Sequence, residues 1–241
     1  MKPFTIDYYK ILLQSFLDNG YEFIFFDEID KIKNAESKIV LLRHDIDFDP
    51  SKALELSSIE NHFGINSTYF FMLNSNFYNI HNIKTLDTIN ELINNGHRIG
   101  VHFDEASYKE SVKSKSLSKF IIKEINFFEE LLKTKTKIIS FHRPASNILL
   151  NEINIPIKHT YEEFYTKDIK YLSDSRKEMP EGDFIEMING SSFNKIQLLI
   201  HPIWWNKKYC SPEKDYMRFI KKKNIEIRLE ISDNSNIYDY N

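Results

Sequence analysis

The 241 residues carry 32 Lys and Arg against 35 Asp and Glu, a net charge of −3, and 41% are hydrophobic, with 19 Phe and 13 Tyr. That composition describes a globular chain of the size of one large α/β domain, without the basic concentration that would make nucleic acid a partner. One cysteine, Cys210, excludes an intrachain disulfide framework. No apolar run nears the roughly 18 residues of a membrane span, and Asp7, Tyr8 and Lys10 break any signal-peptide pattern, so the cytoplasm is the expected location.

Ile6, Tyr9, Leu13 and Phe16 space a helix over Thr5 to Asn19, which Gly20 stops before the strand-like run YEFIFF. Then comes KIVLLRHDID, Lys38 to Asp47, a saturated apolar run that ends in Arg43, His44, Asp45 and Asp47. In a strand, Arg43, Asp45 and Asp47 project together while His44 and Ile46 project oppositely. Two carboxylates in one small space call for a bound cation, a shared proton or a neighbouring arginine.

Asp49-Pro50 reads as a cap leading a helix to Phe63, closed by Gly64, and STYFFML follows as a buried strand with Tyr69, Phe70 and Phe71 in the core. A helix over Thr85 to Asn95 ends at Gly96 and leads into HRIGVHFD, whose end carries His102 and Asp104. Leu117 to Leu132 is a long amphipathic helix before KIISFHRP. KIQLLIHP precedes a helix over Ser211 to Lys223, with Pro212 in its first turn and Lys221 to Lys223 as a solvated helix end. Between Ala145 and Asn194 the rhythm loosens into loops expected over a site mouth.

Alternating strands and helices with short connections predict a parallel sheet covered on both faces. Four strands end in chemistry-bearing groups, RHDID, GVHFD, FHRP and LLIHP, which favours a barrel over an open sheet. One domain over 1–241 is expected, with 1–37 as a helix-strand extension packed on the barrel. Histidines beside Asp and Arg on successive strand ends make a metal or acid-base site the leading expectation, with His102 and His201 foremost.

In order along the chain, RHDID, GHRIGVH, HRP, YLSDS and LLIHP resemble the five motifs of the polysaccharide deacetylase, or NodB-homology, superfamily, over about Lys38 to Trp205. The HPIWW ending is most similar to its WbmS-like branch, associated with bacterial surface-polysaccharide synthesis such as capsule or O-antigen. The resemblance implies an α/β fold, a distorted (β/α) barrel of the deacetylase/NodB type, and a divalent metal, zinc first, with iron, manganese or cobalt as alternatives. It implies Asp45 as general base, Asp47 and His102 as metal ligands, Arg143 orienting the base, His201 as general acid, and Asp174 tethering Arg143 or His201. The family's second metal histidine has Ala106 in its place, so Asp104 is expected either to replace it or to cap the following loop, and water could fill the gap. His44 and His142 are expected behind the ligands. Trp204 and Trp205 are expected to pack the wall or to face a sugar ring.

The implied activity is hydrolysis of a carbon-nitrogen amide bond, removing an acetyl or formyl group from a small-molecule or lipid-linked sugar. Hydrolysis of another non-peptide C–N bond, as in allantoinase-like relatives, and a non-catalytic glycan- or partner-binding barrel remain the alternatives.

Overall fold

The structure, a computed structural model, describes residues 2–28, 38–108, 114–149, 155–180, 182–190 and 193–235. Residues 29–37 of the expected extension, and 150–154, 181 and 191–192 of the loosened stretch, lie outside the described residues. Its main elements in chain order are α1 (Ile6–Asp18), β1 (Tyr21–Phe23), β2 (Lys38–Ile46), α2 (Ser51–His62), β3 (Thr68–Phe71), α3 (Ile83–Asn94) and β4 (Arg98–Asp104). There follow α4 (Ser114–Leu132), β5 (Ile139–His142), β6 (Lys170–Ser173), α5 (Phe184–Gly190), β7 (Lys195–Ile200) and α6 (Pro212–Asn234).

All the strand pairings are parallel, and the sheet runs β5-β4-β3-β2-β7-β6. β2 is central because it is the longest continuous apolar run. β1 pairs with its first residues, Lys38 to Val40, and β3 with its last, Arg43 to Ile46. The strand in the 1–37 stretch is thus part of the sheet, and α1 packs Tyr9 and Phe16 into the same apolar cluster as Trp205. Thr5 caps α1 by accepting from the Tyr8 N–H at 3.2 Å.

The sheet closes irregularly. Ile139 on β5 bridges to His159, and the Gln197 amide on β7 donates to the carbonyls of Thr160 (3.2 Å) and Tyr165 (2.8 Å). A stretch without strand periodicity therefore occupies the gap between β5 and β6, which makes the (β/α) barrel a distorted one. Alternation along β2 decides what lies where. Ile39 and Leu41 join Phe70, Ile138 and Tyr165 in one cluster, while Val40 and Leu42 join the cluster around α1. Two residues further along the face of Ile39 and Leu41 come Arg43 and then Asp45. Apolar residues plug one end of that face and polar ones finish the other.

Gly100 in β4 is required by packing. A Cβ there would sit 2.6 Å from the Phe70 ring and 2.9 Å from the Ile138 carbonyl oxygen, so any larger residue would push β3 or β5 away. Two expectations shift. Asp49 does lead its helix, accepting from Ser51 N–H at 3.1 Å, but the last helix runs on to Asn234 rather than ending at Lys223. Lys222 is therefore mid-helix, and it donates to both Asp49 oxygens (2.9 and 2.7 Å) instead of ending in solvent. Among the described residues no helix is long and apolar enough to cross a membrane.

Candidate active site

The carboxyl ends of the strands meet in a groove of about 650 Å³ whose lining includes Asp45, Asp47, His102, His142 and His201. β2 stops at Ile46, so Asp47 stands just past the strand end. Its Oδ1 lies 3.0 Å from His102 Nε2 on β4 and 3.3 Å from His142 Nδ1 on β5. Ligand atoms of Asp47, His102 and His142 all fall within 4.8 Å of one another. Burial alone would push the Asp47 carboxyl up, but the hydrogen bonds from His102 and His142 and the charge of His201 hold it well below the usual carboxylate range. One anion with two imidazole nitrogens aimed at the same point is a donor set that suits zinc or a related divalent ion.

Asp45 is buried beside it. Arg43 Nη2 and Ser140 Oγ donate to its Oδ2 at 3.1 and 3.2 Å, and its Oδ1 has no partner. Arg43 is itself fully buried. It donates to Gln197 Oε1 (3.3 Å) and Tyr161 Oη (3.0 Å), and lies over the Tyr161 ring at 4.9 Å. The guanidinium fixed on Asp45 is thus Arg43, from the same strand face, and not Arg143 as expected. Arg143, at left-handed φ 51°, sends Nη2 to Asp104 Oδ2 at 2.6 Å and is largely exposed.

That contact also corrects Asp104 as the third ligand. β4 continues through Asp104, so it does share a face with His102, but its oxygens are taken by Arg143, the Ala106 N–H (3.3 Å) and Ser107 Oγ (3.4 Å). It caps the loop and pairs with Arg143. The converging nitrogen comes from His142, expected only behind the ligands. The register of β4 with β5 sets Asp104 beside His142, and that register is not written in either strand alone.

His201 follows β7. Its Nδ1 lies 2.6 Å from Asp174 Oδ1, and Asp174 also accepts from His201 N–H (3.0 and 2.9 Å) and Trp205 Nε1 (2.7 Å). Asp174 is fully buried and tethers His201, one of the two expectations held for it. Nε2 of His201 faces the groove 3.9 Å from Asp47 Oδ2. Burial would lower this imidazole, but Asp174 above all, with Asp47 and Asp45, raises it to about 9. Trp205 is core; Trp204, nearly buried, lines the groove against Tyr216 at 5.2 Å.

Behind β2, on the opposite face, His44 belongs to a second polar cluster. Its Nε2 lies 2.8 Å from Glu60 Oε1 on α2, and Glu60 also accepts from Tyr9 Oη (2.6 Å), Tyr69 Oη (3.0 Å) and Ser67 Oγ (2.6 Å). Glu60 and His44 have no exposed surface. The alternation read from RHDID separates the two faces as expected, but His44, expected behind the ligands, pairs with Glu60 in this other cluster instead.

No family model matches the chain, and no curated protein matches it by sequence. Among solved structures it is similar to the Streptococcus pyogenes deacetylase PplD in complex with acetate, at 15% identity and TM-score 0.48 over 88% of this chain and 85% of that one. It is similar to the peptidoglycan deacetylase PdaC from Bacillus subtilis, at 11% identity and TM-score 0.48 over 81% and 98%. It is similar to a family 4 carbohydrate esterase from Bacillus anthracis, at 15% identity and TM-score 0.44 over 97% and 88%. At such identities and TM-scores the likeness says nothing about activity, which must be argued from the site itself.

Proposed function

We propose that this chain is a metal-dependent amide hydrolase of the polysaccharide deacetylase superfamily. Its action is to remove an N-acetyl or N-formyl group from a nucleotide- or lipid-linked sugar precursor of a bacterial surface polysaccharide, in the cytoplasm. One observation carries the reading. Three metal-type donors from Asp47, His102 and His142 lie together in a groove that also holds a carboxylate with an unpartnered oxygen, Asp45 Oδ1, and an imidazole backed by a buried carboxylate, His201 on Asp174.

Asp47, His102 and His142 would hold the ion. A divalent metal there supplies Lewis acidity, polarising an amide carbonyl and making a water more acidic. Asp45 Oδ1 is the free acceptor for the water proton, and Arg43 and Ser140 hold the rest of that carboxylate in one orientation. His201 Nε2 faces the groove and would donate the proton that a leaving amine needs, and the Asp174 carboxylate at Nδ1 fixes the ring and favours its charged form. The products are a free amine and a short carboxylic acid.

Incubation of the metal-loaded protein with N-acetylated and N-formylated nucleotide sugars, and with lipid-linked counterparts, should release acetate or formate together with a new amine. A protein that binds a divalent ion but releases neither acid from any of them would overturn the deacylase reading.

A further inference from the structure

Helix α4 sends Leu117, Ile121 and Phe128 into the core. Phe120, Lys123, Glu124 and Phe127 follow the i, i+3, i+4, i+7 spacing of another single helix face, and all four line a cavity of about 900 Å³, a size that encloses a small-molecule ligand. Its wall is aromatic. The Tyr108 and Phe120 rings lie 4.5 Å apart, and the exposed Phe127 meets His81 edge-on at 5.1 Å. Glu124 is buried there, accepts from Asn74 Nδ2 at 2.7 Å and from Tyr108 through Oε1, and leaves Oε2 without a partner. A buried polar atom left unsatisfied on a cavity wall calls for a ligand that satisfies it. The cavity adjoins the catalytic groove, since Asn74, Asp104 and Arg143 line both. Arg143 stands at that junction with its side chain 65% exposed, and among the described residues only its Nη2 is engaged, by Asp104. Lys123 is exposed and has no partner among the described residues.

We infer that this cavity holds the nucleoside diphosphate of a nucleotide-linked substrate, with the base against Phe127, the diphosphate at Arg143 and Lys123, and the acylated sugar in the groove at Asp47 and His201. The inference rests on the deacylase reading above and narrows its substrate to the nucleotide-linked class. The order of the parts selects this occupant. In such a substrate a diphosphate joins sugar to nucleoside, and here a guanidinium stands between the catalytic groove and an aromatic cavity. A neutral glycan would leave both cations without a counter-charge, and a lipid chain would set Asn74, Lys123 and Glu124 against hydrocarbon. Burial, aided by the charge of Asp104, pushes Glu124 up to about 7, which lessens the repulsion that an ionised carboxylate would offer a phosphate.

Isothermal titration of the full-length, metal-loaded protein with UDP, GDP, CDP and dTDP tests this. At least one should bind, and Lys123→Glu and Phe127→Ala should each weaken it by about tenfold or more. Asp47→Asn should bind the same diphosphate as well as wild type does, because the contacts lie outside the metal site. Both Lys123 and Phe127 are exposed, so circular dichroism should show native folding in their variants; if Phe127→Ala fails to fold, the lysine variant decides. Binding of none of the diphosphates, equal binding by Lys123→Glu, or loss of binding in Asp47→Asn would overturn the inference. So would binding of tri-N-acetylchitotriose in place of any diphosphate, lost in Phe127→Ala, which would make the cavity a glycan subsite. Acid released from a sugar substrate while no diphosphate binds would sink the inference and leave the deacylase reading standing; a bound diphosphate with no acid released from any substrate would keep the nucleotide site and sink that reading.

Discussion

Two polar clusters grow from the same strand. One face of β2 sends Arg43 and Asp45 toward the groove; the other sends His44 to Glu60. Both contain a histidine beside a carboxylate, and both are largely withdrawn from water. They differ in closure. Glu60 is bonded by two tyrosines and a serine, with His44 against it, and nothing can reach it. Around Asp47 the ligand atoms of His102 and His142 lie within 4.8 Å of its carboxylate and of each other along the groove, and Asp45 keeps an unpartnered oxygen at the groove wall. A buried carboxylate here is therefore a sign of chemistry only where an oxygen is left unpaired at a groove wall, as in Asp45; where both oxygens are taken, as in Glu60, it holds helix to sheet.

The contrast is broken most directly by removing one carboxylate from each side. Asp45→Asn should lower kcat about 10²–10⁴-fold while metal content and melting temperature stay near wild type. Glu60→Ala should do the reverse. It strands His44, two buried phenols and a serine hydroxyl, at about 3–5 kcal/mol of stability, while the folded fraction keeps its specific activity. An Asp45→Asn protein with full activity, or a Glu60→Ala protein that is stable but inactive, would dissolve the distinction between the faces.

The same comparison explains what could be read from residues alone. Strand alternation needs no tertiary knowledge, so the shared face of Arg43 and Asp45, the opposite face of His44, and the buried Tyr69–Phe71 run followed from sequence. Asp174 with His201 also followed, since the two motifs that carry them were recognisable in order. Alternation sets Arg43 on the face of Asp45, whereas the family resemblance points to Arg143, which the left-handed turn before Pro144 aims at Asp104 instead. The place of His142 depends on how β5 registers against β4, which neither strand's sequence specifies alone. Closure of the barrel by His159 to Tyr165 leaves no periodic mark, since side-chain and single-bridge contacts make it.

The ligand set sharpens next. His142→Ala should weaken metal binding by more than the about 10–100-fold that loss of an outer partner costs, whereas Asp104→Ala should leave metal content intact. Titration of the apo-protein variants with zinc, followed by calorimetry, would give both constants; metal lost with Asp104 and kept without His142 would restore the carboxylate as ligand. A smaller effect separates the two arginines. Arg43→Lys, which cannot reproduce a planar fork shared among Asp45, Gln197 and Tyr161, should reduce kcat with little change in KM, and Arg143→Lys should leave kcat nearly unchanged.

The smallest effect sets the sealed cluster against the wall of the open one. Beyond the Asp104–Arg143 pair a second cavity of about 900 Å³ is bordered by Glu124, which accepts from Asn74 at 2.7 Å and from Tyr108, and whose Oε2 has no partner. Burial, aided by the charge of Asp104 and opposed by those two donors, pushes Glu124 up to about 7. Its unfolded form releases the proton near the ordinary value of about 4.3. Between those values the unfolded chain binds fewer protons than the folded one, so stability falls as pH rises toward 7. Glu60 has the opposite sign. Burial would raise it, but His44 outweighs that and holds it below its ordinary value, so its contribution is present above the unfolded pKa and lost as pH falls. Melting temperatures of wild type and Glu124→Gln should therefore diverge between pH 4.5 and 7, with the variant gaining as pH rises. Parallel curves would mean that Glu124 is ionised in the fold and has found a counter-charge, which would make its surroundings as closed as those of Glu60.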